Sequence, residues 1–430
     1  MTWRFPYDWA GVLDTDALAP CRVYRRTEHG RPDGLPGGPD LAACLRSPIG
    51  APPLAQLLRV SRARTVLILV DDLTRPTPQA EMLPPVLDCL ADAGIAEQDV
   101  TVLVATGLHR TMTAEEIAGR FGPRVAGRLR VVCHDARDRA AQVSLGIAGD
   151  GTPIMVNRLA KEIDFVLSVG CIEPHRVAGF SGGAKMVQPG ICGQAVTASI
   201  HWRGWLTEGE EIYATADNPI RSEMEVIAEL AGLRFIVNVV LGPDGRPWRY
   251  FCGDPRTAFR AGCRESLQLA SVETEPADIV VADSWPFDID LIQACKAVSV
   301  AELIVRPGGT VVLVTPCPEG LSQHEEEIRR TGYLKASEVV RRVADGSLPS
   351  LSVACHMMAL GRTLQRGELL VVSPGLGQEL CREMGLSWVA SVPEAIAVAR
   401  SRLGPDASVA ILEHPCTMVP VIRDERRRRS

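Results

Sequence analysis

No apolar run in this 430-residue chain approaches the roughly 20 residues that a helix needs to span a bilayer, so no membrane partner is expected. The opening stretch MTWRFPYDWAG lacks a basic start leading into an apolar core, so no secretory signal is expected and the reading places the protein in the cytoplasm. Basic residues are scattered and the net charge is −6, which argues against a nucleic-acid groove. Thirteen cysteines form no CxxC pair and are odd in number, so they read as reduced, mostly buried thiols rather than a disulfide framework. Cys133 and His134 with distant partners are a zinc alternative, weakened by the missing paired spacing. There is no GxGxxG after an early strand and no internal repeat beyond a coarse strand–helix alternation.

What is present is the composition of a globular protein, 46% hydrophobic and 23% charged, in a chain too long for one ordinary core. The stretch PDGLPGGPD at 32 to 40 reads as loop. TVLILV (65–70), VTVLVAT (100–106) and FVLSVG (165–170) are apolar runs of strand length. They stop at DDLTRPTP (71–78), TGLHR (106–110) and CIEPHR (171–176), and Thr113 with Glu116 marks a capping box for the helix after the second. A second series follows in DIVVAD (278–283), TVVLVT (310–315), ELLVVS (368–373) and the helical PEAIAVARSRL (393–403).

Strands alternating with helices predict an α/β fold of two domains with mostly parallel sheets and an active site in the cleft between them. The expected division is 1–271 for an N-terminal catalytic domain and 272–406 for a smaller C-terminal α/β domain. SVETEPAD (271–278) reads as the linker, and 407–430 is expected to return to the first domain. The tail RDERRRRS (423–430) reads as a solvated end.

The stretch EPHRVAGFSGGAKMVQPG (173–190) poses the sharpest question. A phosphate-binding P-loop would need glycine before its lysine and a hydroxyl after it to hold magnesium, whereas Ala184 and Met186 flank Lys185. Lys185 therefore needs another role or none. Three of the eight histidines, His109, His175 and His201, fall in or just after strand-end loops. Two imidazoles on opposite sides of one carbon can act as acid and base near neutral pH, and a third can bind a metal. Arg75 offers a planar fork for an anion and Thr74 a hydroxyl, against the plainer reading of an Asp72–Arg75 ion pair. Gln293 and Lys296, three apart in DIDLIQACKAV (288–298), share a helical face, which in most proteins means only a solvated surface.

DDLTRPTP, TGLHR, EPHRVAGFSGGAKMVQPG and His201 together resemble the nickel-dependent lactate racemase family, in joint order and spacing and over most of the chain. The resemblance implies a nickel-pincer nucleotide, Ni(II)-pyridinium-3,5-bisthiocarboxylate mononucleotide, joined to Lys185 through a thioamide. It implies His201 as the protein ligand to nickel and His109 and His175 as the catalytic pair. Asp72, Leu73, Thr74 and Arg75 match the cofactor- and substrate-binding turn, with Gln293 and Lys296 as second-domain contacts. The implied reaction inverts C2 of a 2-hydroxy acid by proton-coupled hydride transfer through a 2-keto acid. The implied partners are that small-molecule substrate and, transiently, cofactor-biosynthesis proteins. Removal of the C2 hydrogen as hydride avoids a carbanion beside a carboxylate. Ile292 replaces an aromatic residue common in the lactate enzymes, and Val353 or a neighbour replaces a tryptophan, so the substrate need not be lactate. Two other readings are a nicotinamide-dependent 2-hydroxyacid oxidoreductase and a non-catalytic nucleotide- or anion-binding protein.

Overall fold

The computed structural model describes residues 2–26, 40–321 and 324–423. Positions 32–39 of the proline- and glycine-rich stretch and 424–430 of the basic tail lie outside them. The described chain folds as two α/β units, each with a six-stranded sheet. One comprises the described residues from 40 to Gly204 together with Ile212–Leu269, and the other those up to 26, Trp205–Glu211 and those from Ala270 on.

In the first unit the sheet runs Pro247–Gly253, Leu233–Leu241, Phe165–Cys171, Val66–Val70, Val100–Val104, Arg130–Cys133. All neighbours are parallel except the edge strand Pro247–Gly253. Every residue of Val66–Val70 and Phe165–Cys171 is buried, the signature of strands covered on both faces. Val66, Ile68 and Val70 join Leu54 and Leu58 of the Leu54–Ser61 helix and Met82, Val86 and Leu90 of the Gln79–Asp92 helix in one core. Each such side chain contributes roughly 1.5–3 kcal/mol relative to leaving it in water. Val66–Val70, the earliest of these strands, lies inside the sheet, and later strands are added on both of its sides. The order therefore reverses between it and Phe165–Cys171, the position where α/β sheets open a crevice at their carboxyl ends.

The second sheet runs Ser387–Trp388, Glu368–Val372, Val305–Val314, Ala277–Asp283, Val409–Leu412, Cys21–Tyr24, all parallel. This corrects the expected domain limits in two ways. The segment from 407 does not return to the first domain, because Val409–Leu412 sits between Ala277–Asp283 and Cys21–Tyr24. The N-terminal residues also belong here, since Phe5, Tyr7 and Leu13 are buried with Ile279, Val281, Val312 and Ile411 in this unit's core. The physical reason is coverage: the inner strands of a parallel sheet need apolar partners on both faces, and the chain's two ends supply them. SVETEPAD is not a free linker either, because Ser271–Thr274 pairs in parallel with Val419–Ile422. No helix among the described residues is long and apolar enough to cross a membrane.

Candidate active site

Three loops of the first unit carry the predicted chemistry. They leave the carboxyl ends of Val66–Val70 and its two flanking strands, whose last paired residues stand level as Val70↔Val104 and Val70↔Val169. His109 and His175 thus come from strands on opposite sides of the one that delivers Asp72.

The DDLTRPTP turn is held by its first aspartate. Asp71 pairs with Arg120 at 2.6 Å, accepts from Gln79 Nε2 at 2.9 Å and from the Thr77 hydroxyl. This frees Asp72 to face the other way, where its Oδ2 lies 2.7 Å from His109 Nδ1 and its Oδ1 accepts from the Thr74 hydroxyl at 2.6 Å and amide at 3.0 Å. Burial alone would raise the Asp72 carboxyl, but the adjoining His109 ring and the Thr74 donors outweigh it and hold it well below the usual carboxylate range. The carboxylate accepts, so Nδ1 of His109 carries hydrogen and Nε2 is the basic nitrogen of the neutral ring. The plainer expectation of an Asp72–Arg75 ion pair gives way to this arrangement, with Arg75 Nη1 donating to the Thr74 carbonyl at 2.8 Å. Leu73 is partly buried, with its side chain packed against the apolar core.

His175 is oriented in the opposite sense. Its Nδ1 accepts from the backbone amides of Val177 at 3.1 Å and Ala178 at 3.2 Å, which places the hydrogen of the neutral ring on Nε2. Pro174–His175 pairs with Gly179–Phe180 in a two-rung hairpin, after which the chain enters the short 3₁₀ turn Gly183–Met186 that bears Lys185. Gly182 and Gly183 have φ of +73° and +55°, and a Cβ on Gly183 would stand 2.8 Å from the Phe259 ring.

Residues far away in sequence fix this loop, and sequence reasoning missed them. Arg221, fully buried with its guanidinium 4.3 Å above the Phe259 ring, donates to the carbonyls of Phe180, Gly182 and Ala178. Burial lowers its pKa only to about 10, so it stays charged. Asn238 accepts from the Gly183 amide at 3.1 Å, and Ser181 bridges the Glu173 amide and the Cys171 carbonyl. The nearest sequence signal is the run of carbonyls a glycine loop leaves unpaired, which calls for a buried donor but does not say where in the chain it lies.

His201 lies on the Gln194–Leu206 helix and donates Nδ1–H to the Thr197 carbonyl at 2.9 Å, leaving the lone pair on Nε2. Burial, with the charge of Lys185 and then His109 nearby, lowers its pKa to about 4, so the ring is neutral at physiological pH. The same effect places Lys185 and His109 each within electrostatic reach of His201. The Gly107 amide also donates to the Gly190 carbonyl at 2.9 Å, tying the His109 loop to the end of the lysine loop.

Gln293 and Lys296 lie in the other unit, on the Leu291–Ile304 helix capped by Asp290. They are not a solvated face: Gln293 is buried, its Oε1 accepts from Lys296 Nζ at 2.6 Å, and that ammonium sits 3.7 Å over the Phe287 ring. Ile292 is partly buried beside them and Val353 is buried. His134, weighed above as a zinc ligand, has both ring nitrogens engaged, Nε2 with the Cys192 carbonyl at 2.9 Å and Nδ1 with Asn157 at 3.3 Å.

Fold and site together define an α/β protein that carries Asp72, His109 and His175 on loops after three neighbouring strands at a sheet's switch point. The comparisons make the class specific. The lactate racemase N-terminal domain family matches residues 37–212 and the lactate racemase C-terminal domain family matches 272–419. The lactate racemases of Thermoanaerobacterium thermosaccharolyticum and Lactiplantibacillus plantarum are each 28% identical, over 86% of this chain and 87% of theirs. The lactate racemase apoprotein structure from T. thermosaccharolyticum superposes with a TM-score of 0.81 at 25% identity, covering 96% of both chains. A Thermotoga maritima protein shares the fold at a TM-score of 0.73 and 21% identity, over 91% of this chain and 100% of its own. The chain belongs to the lactate racemase family and is an isomerase of the racemase class.

Proposed function

We propose that the protein inverts the C2 stereocentre of a 2-hydroxy acid, with His109 and His175 as the acid–base pair and Lys185 as the point of attachment of a nickel-pincer nucleotide. The observation that carries this reading is the opposite orientation of the two rings. His109, with Nδ1–H held by Asp72, presents Nε2 as a base for the substrate hydroxyl, and the Asp72 carboxylate stabilises the imidazolium that results. His175 presents Nε2–H toward the substrate's oxygen as a hydrogen-bond donor, and to give that proton up as an acid it must be the imidazolium, with Nδ1 also protonated and turned from the Val177 and Ala178 amides. For the opposite configuration the two exchange tasks, which requires the His175 ring to release the Val177 and Ala178 amides.

The residues present fit the cofactor. Imidazoles that bind metals usually give their other N–H to a carbonyl or carboxylate, as His201 does to Thr197. A neutral ring is also what coordination needs, and His201 is kept neutral beside Lys185. His201 would hold the nickel through Nε2, Lys185 would carry the organic part, and Asp72 to Arg75 would line its turn. When bound, such a group supplies an acceptor and donor of hydride at C2. Because the Asp72 carboxylate is engaged by His109 and Thr74, its contribution is to orient His109, while Thr74 and Arg75 are the members of the turn suited to an anion. The substrate is a 2-hydroxy acid that need not be lactate, on the ground that Ile292, and Val353 or a neighbour, stand where the lactate enzymes carry aromatic surface.

The test uses protein purified from a host that makes the cofactor. Intact mass should show an adduct lost in Lys185→Ala and Lys185→Arg, nickel should follow the adduct, and chiral analysis of single-enantiomer 2-hydroxy acids should show inversion only by the loaded protein. Full turnover by Lys185→Arg, which keeps the charge but cannot form the thioamide, would defeat the reading.

A further inference from the structure

Two buried polar side chains beside this site have no hydrogen-bond partner. Gln188 is fully buried, and neither Oε1 nor Nε2 of its amide is paired; Thr197 is 1% exposed and its hydroxyl is unpaired. Such groups are rare in folded proteins because burial strips them of water and returns nothing. Their positions are not scattered. The Gln188 backbone N–H donates to the Ala184 carbonyl at 3.0 Å, so 184 to 188 complete a helical turn in which Lys185 and Gln188, three apart, share a side. Thr197 lies one turn before His201 on the same helix and accepts that ring's Nδ1–H on its carbonyl. One unpaired group therefore flanks the lysine and the other flanks the histidine.

The chemistry of the Gln188 amide narrows what would satisfy it. A free lysine ammonium offers donors only and could serve Oε1 but not Nε2. A lysine nitrogen converted to an amide or thioamide offers one N–H and one acceptor, the complement of a carboxamide's acceptor and donors. We propose that Gln188 and Thr197 are binding residues for the group joined to Lys185, Gln188 pairing with the acylated nitrogen and its acceptor atom and Thr197 with a polar substituent beside His201. This rests on Lys185 being the attachment point.

Gln188→Met and Thr197→Val, with wild type and Lys185→Ala, are to be purified from hosts with and without the cofactor pathway and compared by intact mass, nickel content and thermal melting. Unloaded variants should melt at or above unloaded wild type, because each loses an unpaired buried group. Loading should raise the Tm of wild type, and in each variant that rise should shrink by roughly 3–8 °C, the size expected for lost buried hydrogen bonds in a domain of this length. Adduct occupancy and nickel should fall with it. A rise equal to wild type in both variants, or unloaded variants that melt well below unloaded wild type, would overturn the inference and make these residues part of the apoprotein's own scaffold. If wild type itself gains no adduct, the attachment at Lys185 fails and this inference falls with it; normal loading of wild type and both variants defeats this inference alone.

Discussion

Each sheet ends its central strand in an aspartate that meets a histidine following the neighbouring strand. In the first, Asp72 after Val66–Val70 holds His109 after Val100–Val104, with Oδ2 and Nδ1 2.7 Å apart. In the second, Asp283 at the end of Ala277–Asp283 meets His414 after Val409–Leu412 at 3.2 Å. The difference lies in what else each pair touches. Asp283 also accepts the backbone N–H of His414 at 2.9 Å and that of Trp285 at 3.1 Å, and the Trp285 ring lies 4.4 Å from the His414 ring. The contacts to His414 tie one loop to the next, while the Trp285 amide closes Asp283's own turn. Asp72 likewise closes its own turn, through Thr74, but its histidine lies within electrostatic reach of His201, which Lys185 also reaches. The Asp283–His414 pair thus braces two loops whereas the Asp72–His109 pair is the one proposed as a base, and the fold alone does not decide between the two.

Breaking the two pairs should have different consequences. His109→Ala and His175→Ala should each lower racemisation by about 10²- to 10⁴-fold, the range for a lost general acid or base. Asp72→Asn should lower it by about 10²-fold by freeing the His109 tautomer, yet leave the Lys185 adduct in place. Loss of the adduct in Asp72→Asn would instead make Asp72 a cofactor contact.

His414→Ala should do the reverse, lowering stability by about 1–3 kcal/mol through the buried Asp283 left behind while racemisation by the loaded protein stays within about 3-fold. Denaturant midpoints and initial rates on the same preparation separate the two outcomes, and a rate loss as large as that of His109→Ala would erase the distinction drawn here.

The smallest effect concerns a histidine with no aspartate. His356 is buried with Nε2 2.9 Å from the Tyr333 hydroxyl, and burial, then the neighbouring His324, lowers its pKa from 6.5 to about 3. The folded state therefore binds the proton less readily than the unfolded one. Its contribution to stability is complete above about pH 6.5 and is lost as the pH falls from there toward 3. Between pH 7 and pH 5 wild type should lose up to about 2 kcal/mol that His356→Gln does not lose, as read from urea unfolding at the two pH values.

The inner strands were legible because residues buried on both faces leave continuous apolar runs such as VLILV, which need no partner to be recognised. Cys21–Tyr24 and Ser271–Thr274 were not: short, half-polar strands resemble loop until the strand beside them is known, and the domain limits went wrong for that reason. The histidines and Lys185 stood out as reactive types at strand ends. Their orientation did not, because it depends on Asp72 for His109, on the local amides for His175 and on Arg221 for the loop. Asp71 and Asp72 are adjacent in sequence, and only the positions of Arg120 and His109 separate the brace from the orienting carboxylate.

The central claim is that the two histidines move the hydroxyl proton while the hydrogen on C2 leaves and returns as hydride. Loaded protein supplied with one enantiomer of a C2-deuterated 2-hydroxy acid that it racemises, in ordinary water, tests this directly by mass spectrometry of the opposite enantiomer at early conversion. The account predicts deuterium retained at C2. Replacement by solvent hydrogen would mean that a histidine removes the C2 proton itself, and would contradict it.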